Sequence, residues 1–168
     1  STLTVINYIL LGGASGFTLA ALFASYSASS QVNFFTGWAI IITVLALIGR
    51  IASLIRNAKL KPKSTLQTAI GIKHPKISQN AAGFLGGSFN TREFFHGATK
   101  SKLQLIKWFF LVAVFVIPLT LLSSVLGNIS TNILVVAFVI QYLGLIAERW
   151  FFFAQANHPQ NLYYHAIT

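Results

Sequence analysis

One carboxylate, Glu148, lies inside a hydrophobic stretch of this chain, and the groups around it set what chemistry is available there. Arg149 follows it directly. Gln141 precedes it by seven residues, a spacing that puts amide and carboxylate on one helix face with Gly144 and Leu145 between them. An ionisable side chain in a membrane-spanning segment costs about 2.5–3.5 kcal/mol even by the mildest scales, so it is a functional candidate by default. A protonatable carboxylate, an amide, a guanidinium and a nearby histidine can bond the oxygens of a quinol ring and accept its protons. Gln141, Glu148, Arg149 and His158 are therefore a candidate quinol-binding set. The competing reading is an interfacial ion pair of Glu148 with Arg149, beside the aromatic belt Trp150 to Phe153.

A second cluster lies between Arg56 and Lys102, the one long polar stretch of the chain. Ser64-Thr-Leu-Gln67 and Asn90-Thr-Arg-Glu93 have capping-box spacing, and Gly71 and Gly97 stand where short helices would stop. The pattern predicts two helical turns joined by the glycine-rich bend Gly83-Phe-Leu-Gly86-Gly87-Ser88. That bend lacks the Gly-Lys-Ser/Thr ending of a phosphate-binding loop. Phe84, Leu85, Phe89, Phe94 and Phe95 need a cover, which a docked protein or the membrane surface would supply. The partner-docking candidates are His74, Phe89, Asn90, Arg92, Glu93 and His96.

Other chemistries lack their residues. With no cysteine there is no thiolate-held metal, disulfide or cysteine nucleophile, and an iron–sulfur centre would belong to a partner. Haem in a membrane bundle needs histidines within spans, whereas His74, His96, His158 and His165 all fall in the loop or the tail. We expect no catalytic residue, no metal site and no cofactor held by this chain.

The elements that must position these groups are membrane helices. Spans are expected at about 3–23, 35–55, 105–126 and 132–153, because about 20 apolar residues at about 1.5 Å each cross the hydrocarbon core. The fold class is an all-α membrane protein of four transmembrane helices, with the long basic loop 56–102 between the second and third and a tail 154–168. Asn7 reads as a helix-packing hydrogen bond, and Gly12, Gly13 and Gly16 as small residues that admit a neighbouring backbone. Arg50 reads as an anchor snorkelling to the inner interface. Pro118 is expected to kink the third helix and free a carbonyl. No heptad seam or internal repeat is visible.

The bulk numbers agree with a lipid environment. The mean hydropathy is +0.70, and 55% of residues are hydrophobic. Charged residues make up 8%, where a soluble domain would carry roughly 25%. A pI near 10.3 suggests nucleic acid, but eleven of the twelve basic residues lie in or beside one loop. The positive-inside bias accounts for that, and places the loop and both chain ends in the cytoplasm without any nucleic-acid partner. The chain has no methionine and starts almost inside a span, so a natural start is expected to be missing.

Four runs of the sequence carry a resemblance. Lys63-Ser-Thr-Leu-Gln-Thr-Ala-Ile-Gly-Ile-Lys-His-Pro, Gly86-Gly-Ser-Phe-Asn-Thr-Arg-Glu-Phe-Phe-His-Gly, Ala147-Glu-Arg-Trp-Phe-Phe-Phe-Ala and His158-Pro-Gln-Asn-Leu-Tyr-Tyr164 resemble the membrane-anchor subunits of dimethyl-sulfoxide-reductase-type complexes, in their C-terminal half. The resemblance implies a multi-pass anchor in the bacterial inner membrane. It implies oxidation of menaquinol and transfer of its electrons to a four-cluster iron–sulfur subunit that feeds a molybdopterin subunit. The family's quinol-associated histidine lies in the other half, so no position here inherits that role. Rival classes are half of a transporter or channel, which would show more midplane polarity than Asn7, Pro118 and Gln141, and a purely structural anchor.

The charge bias makes a first prediction. Cysteines introduced at Ser78 and Ser29 will label from opposite sides of the membrane, Ser78 from the cytoplasm alone. Labelling of Ser78 from outside would invert the topology.

Overall fold

A computed structural model describes residues 2–60 and 99–155, together with 67, 68, 71, 73 and 74 of the loop. Among these residues there are no strands, and four helices are long and apolar enough to cross a membrane. Helix α1 covers Thr2–Ser27 and α2 covers Val32–Lys59. Helix α3 runs over Lys100–Leu111, passes through a π-helical turn at Val112–Val116 and continues over Ile117–Gly127, and α4 covers Thr131–Ala154.

The helices outrun the expected spans at almost every end. Hydropathy marks where lipid begins and ends, whereas intrahelical hydrogen bonds carry the backbone on through polar residues. Thus the connection expected between the first two spans shrinks to Ala28 and a 3₁₀ turn at Ser29–Gln31. Ala28 N–H donates to the Ala24 carbonyl at 2.8 Å, and Gln31 N–H to that of Ala28 at 2.9 Å. Helix α3 starts earlier than its apolar run because Thr99 caps it, its hydroxyl accepting from Lys102 N–H at 3.3 Å. In the loop, Gly71 has φ of +74°, and its N–H donates to the Gln67 carbonyl at 2.9 Å, in keeping with a glycine helix stop.

Adjacent helices run antiparallel. α1 packs on α2 and α4, and α3 on the same two, so α2 and α4 form the diagonal of the bundle and run in the same direction. Both pass from the end with the short turns to the end bearing Arg56, Lys59 and Lys102, called here the basic end.

Contrary to the sequence reading, there is a seam of 3-and-4 spacing. Buried positions on α2 are Val32, Thr36, Ala39, Thr43, Ala46, Arg50 and Ser53, and on α4 Leu134, Ala137, Gln141, Gly144, Glu148 and Phe151. This is the knobs-into-holes spacing of left-handed bundles. It is invisible as an apolar heptad because the inward residues are small or polar, while Ile41, Leu45 and Ile48 on α2 and Val136, Val139, Leu143 and Ile146 on α4 face outward. Lipid tails solvate such side chains as well as a core would, so close backbone approach decides which face turns in. Buried hydroxyls bond within their own helix, Thr18 to the Ala14 carbonyl at 2.9 Å and Thr43 to that of Ala39 at 2.6 Å.

The expected glycine contact shifts as well. Beside Gly12 and Gly16 there is open space, and Gly13 alone of the three meets a neighbour, Ile42. The tight crossing lies at Gly144, against the π-helical turn. A Cβ there would sit 2.8 Å from Val114 Cγ2, 2.9 Å from Ala113 Cβ and 3.0 Å from the Ala113 backbone carbon. The turn ends just before Pro118, whose missing N–H interrupts the regular ladder, and Ile117 N–H bonds instead to the Val112 carbonyl five residues back.

Gly144→Ala should therefore force α4 away from α3, costing on the order of 1–3 kcal/mol, while Gly12→Ala is neutral. Unfolding of the purified protein in detergent measures both. Equal stability of the two variants would remove the close crossing.

Candidate functional site

The phase of the two diagonal helices decides the site. Residue 148 falls on the buried seam of α4 and residue 50 on that of α2, both near the basic end, so their long side chains meet across the bundle axis. Arg50 Nη2 lies 2.9 Å from Glu148 Oε1, near enough to pair by charge although the groups are off hydrogen-bond alignment. The other oxygen, Oε2, accepts a hydrogen bond from Nε of Arg149 and forms an ion pair with its Nη2. Glu148 is fully buried and Arg50 is 3% exposed.

Aromatic rings hold the two cations. The Arg50 guanidinium lies 5.3 Å from the Phe110 ring centroid and 5.9 Å from that of Phe151. The Arg149 guanidinium stacks 3.7 Å from the Tyr8 ring and 5.6 Å from that of Phe152. Such contacts contribute about 0.5–2 kcal/mol each, more where water is excluded. The Glu148 carboxylate is thus held from α2 and from its own helix, and α1, α3 and α4 supply the rings.

Asn7 ties α1 to α2 beside this cluster. Its Nδ2 donates to the Gly49 carbonyl at 3.2 Å and to Ser53 Oγ at 2.6 Å, the helix-packing bond the sequence suggested. Gly49 is required because a Cβ would run into the Asn7 side-chain oxygen. A small cleft, open at its mouth, is lined by Thr4, Asn7 and Tyr8 of α1, Arg50, Ser53, Arg56 and Asn57 of α2, and Arg149 and Phe152 of α4.

Of the quinol-binding candidates, the structure brings Glu148 and Arg149 together at this cluster. Gln141 lies two turns deeper on the same face, fully buried, with neither amide atom hydrogen-bonded among the described residues. His158 lies outside the described residues, as do Phe89, Asn90, Arg92, Glu93 and His96 of the docking set. His74 is exposed, and its carbonyl accepts from Gln67 Nε2 at 3.3 Å.

Arg50 is a correction. Read as a snorkelling anchor, it turns inward instead, because a buried carboxylate attracts it more strongly than interfacial water. The sequence did carry a signal: a lone acid within one span and a lone base within another tend to find each other.

Comparison with known proteins adds a relative. The chain is 52% identical over 168 residues to a subunit of the sulfite dehydrogenase of Allochromatium vinosum, covering 99% of this chain and 51% of that protein. It thus spans about half the length of the curated relative it matches, which is by its name part of a redox enzyme. No protein-family model matches the chain, and no solved structure does.

Removing one member of a buried charge cluster leaves the others uncompensated, at a cost of about 3–5 kcal/mol, whereas apolar replacement of a whole pair is near neutral. Glu148→Gln should destabilise the bundle by that order, and adding Arg50→Met should recover part of the loss. Thermal unfolding in detergent measures the cycle. Additive losses in the double variant would show that the two side chains do not interact.

Proposed function

We propose that this chain is part of the membrane anchor of a sulfite-oxidising enzyme complex, holding the soluble redox subunits and passing their electrons to quinone in the bilayer. The observation that carries the reading is the 52% identity, extending over 99% of the chain, to a sulfite dehydrogenase subunit. Four helices of this chain long and apolar enough to cross a membrane support a place for it in the bilayer.

The relative's name also suggests a direction. Oxidising sulfite with water to sulfate releases two electrons and two protons, so quinone would take up two electrons and two protons and leave as quinol. This is the reverse of the quinol oxidation implied by the dimethyl-sulfoxide-reductase resemblance, and it uses the same membrane carrier. The partners on this reading are an iron–sulfur subunit and a molybdopterin subunit, and the membrane is the bacterial inner membrane with the basic loop in the cytoplasm. His74, Phe89, Asn90, Arg92, Glu93 and His96 are the proposed docking residues.

Within the proposed quinone-facing set of Gln141, Glu148, Arg149 and His158, Gln141 keeps its hydrogen-bonding capacity unengaged. Glu148 and Arg149 are engaged with each other and with Arg50. A carboxylate between two guanidiniums is well placed to fix their positions. We therefore assign the hydrogen bond to a quinone oxygen to Gln141.

Isolation of the complex through a tag on this chain tests the reading. Iron–sulfur absorbance should accompany the chain, and sulfite should reduce a soluble quinone analogue. Arg92→Glu should release the partner, costing on the order of 2–5 kcal/mol at a buried contact. Gln141→Leu should slow quinone reduction while leaving sulfite oxidation with an artificial acceptor unchanged. A chain that purifies without any redox partner would refute the anchor, and an unaltered quinone rate in Gln141→Leu would remove that residue from the site.

A further inference from the structure

The cleft at the basic end carries more positive charge than its own residues neutralise. Arg50, Arg56 and Arg149 line it, and among the described residues Glu148 is the one carboxylate paired with any of them, leaving two positive charges in excess. Two of these cations also have unmet donors. Among the described residues, Arg50, 3% exposed, has no hydrogen bond at Nε, and Arg149 has none at Nη1, both atoms being buried. Guanidinium groups only donate, and a buried cationic donor left unbonded is costly, so a complete site calls for an acceptor. The surplus charge calls for an anionic one, which a neutral quinone or a water is not.

The surroundings indicate which anion. Tyr8 and Phe152 at the cleft, with Trp150 nearby on α4, are residues of the kind that sit at headgroup level. Beside them Val5 and Ile9 of α1 are exposed by 58% and 68%, an apolar surface that acyl chains would cover and a free ion would not use. Basic pockets between helices at such a level suit acidic lipid headgroups.

We infer that the cleft between α1, α2 and α4 binds a phosphodiester, that of an acidic phospholipid headgroup. Arg56 stands at the mouth, and Arg50 and Arg149 stand behind it, fixed in place by Glu148. The site needs only that the chain span a membrane, so it stands apart from the sulfite and quinone reading.

Native mass spectrometry of the purified complex, stripped of lipid in detergent and then supplied with phosphatidylglycerol or phosphatidylcholine, reads the site directly. Phosphatidylglycerol should be retained at about one molecule per chain and at least about tenfold better than phosphatidylcholine. Arg56→Gln should lower its occupancy about fivefold, the effect of about 1 kcal/mol for one basic residue near a membrane surface. Asn57→Asp, which brings a carboxylate into the cleft, should do the same. Lys59→Gln removes the same charge from a residue outside the cleft and should lower occupancy clearly less than Arg56→Gln. Equal retention of the two lipids, or a loss in Lys59→Gln as large as in Arg56→Gln, would overturn the site. Saturation by millimolar inorganic phosphate that acidic lipid cannot displace would overturn the lipid assignment in favour of a free ion.

Discussion

A carboxylate taken out of water must be met by positive charge, and in this bundle Glu148 is met twice. Arg50 reaches it across the diagonal and Arg149 folds back onto it from the next position on the same helix. Each ion in such a place costs several kcal/mol to desolvate, so the cluster holds only if its members keep their geometry. That demand fixes the depth and rotation of α2 relative to α4, helices that otherwise make few contacts across the diagonal. The rings of Tyr8, Phe110, Phe151 and Phe152 then extend the constraint to α1 and α3.

Away from this end, the bundle is held by shape. Apolar packing divides into a cluster at the short-turn end around Ala21, Ala39, Leu122 and Leu134, and one at the basic end around Leu11, Phe110, Phe115 and Phe151. Gly144 lets α4 lie against the π-helical turn of α3. That turn is a local departure from the regular ladder just ahead of Pro118, in a place where close packing covers the irregular backbone. Gln141, one turn above Gly144, is a buried polar residue of this middle region whose amide makes no hydrogen bond among the described residues.

The proposed partner docking and lipid binding fall at one end of the molecule for one physical reason. Basic residues gather where the helices leave the lipid, and the same positive field that orients the chain in its membrane attracts acidic headgroups and the acidic surface of a soluble partner. The arginine cleft lies between the helix ends, and the long loop follows from the end of α2.

The number of helices, their order and their approximate spans were legible in the sequence, because crossing a lipid layer requires some twenty apolar residues in a row and nothing in the tertiary structure can waive that length. The Asn7 packing bond and the Gly71 helix stop were legible too, each from a single residue whose chemistry admits few roles. Which face of each helix turns inward was not. In water, apolar side chains mark the buried face; in lipid, Ile48 is as well solvated outside as Ala46 is packed inside, so the pattern carries little directional information. Only the assembled bundle could therefore turn Arg50 from the interface to Glu148, move the tight glycine contact from Gly12 and Gly16 to Gly144, and set three arginines around one cleft. Those outcomes depend on helix rotation, which is decided by close packing and charge pairing between helices far apart in the chain.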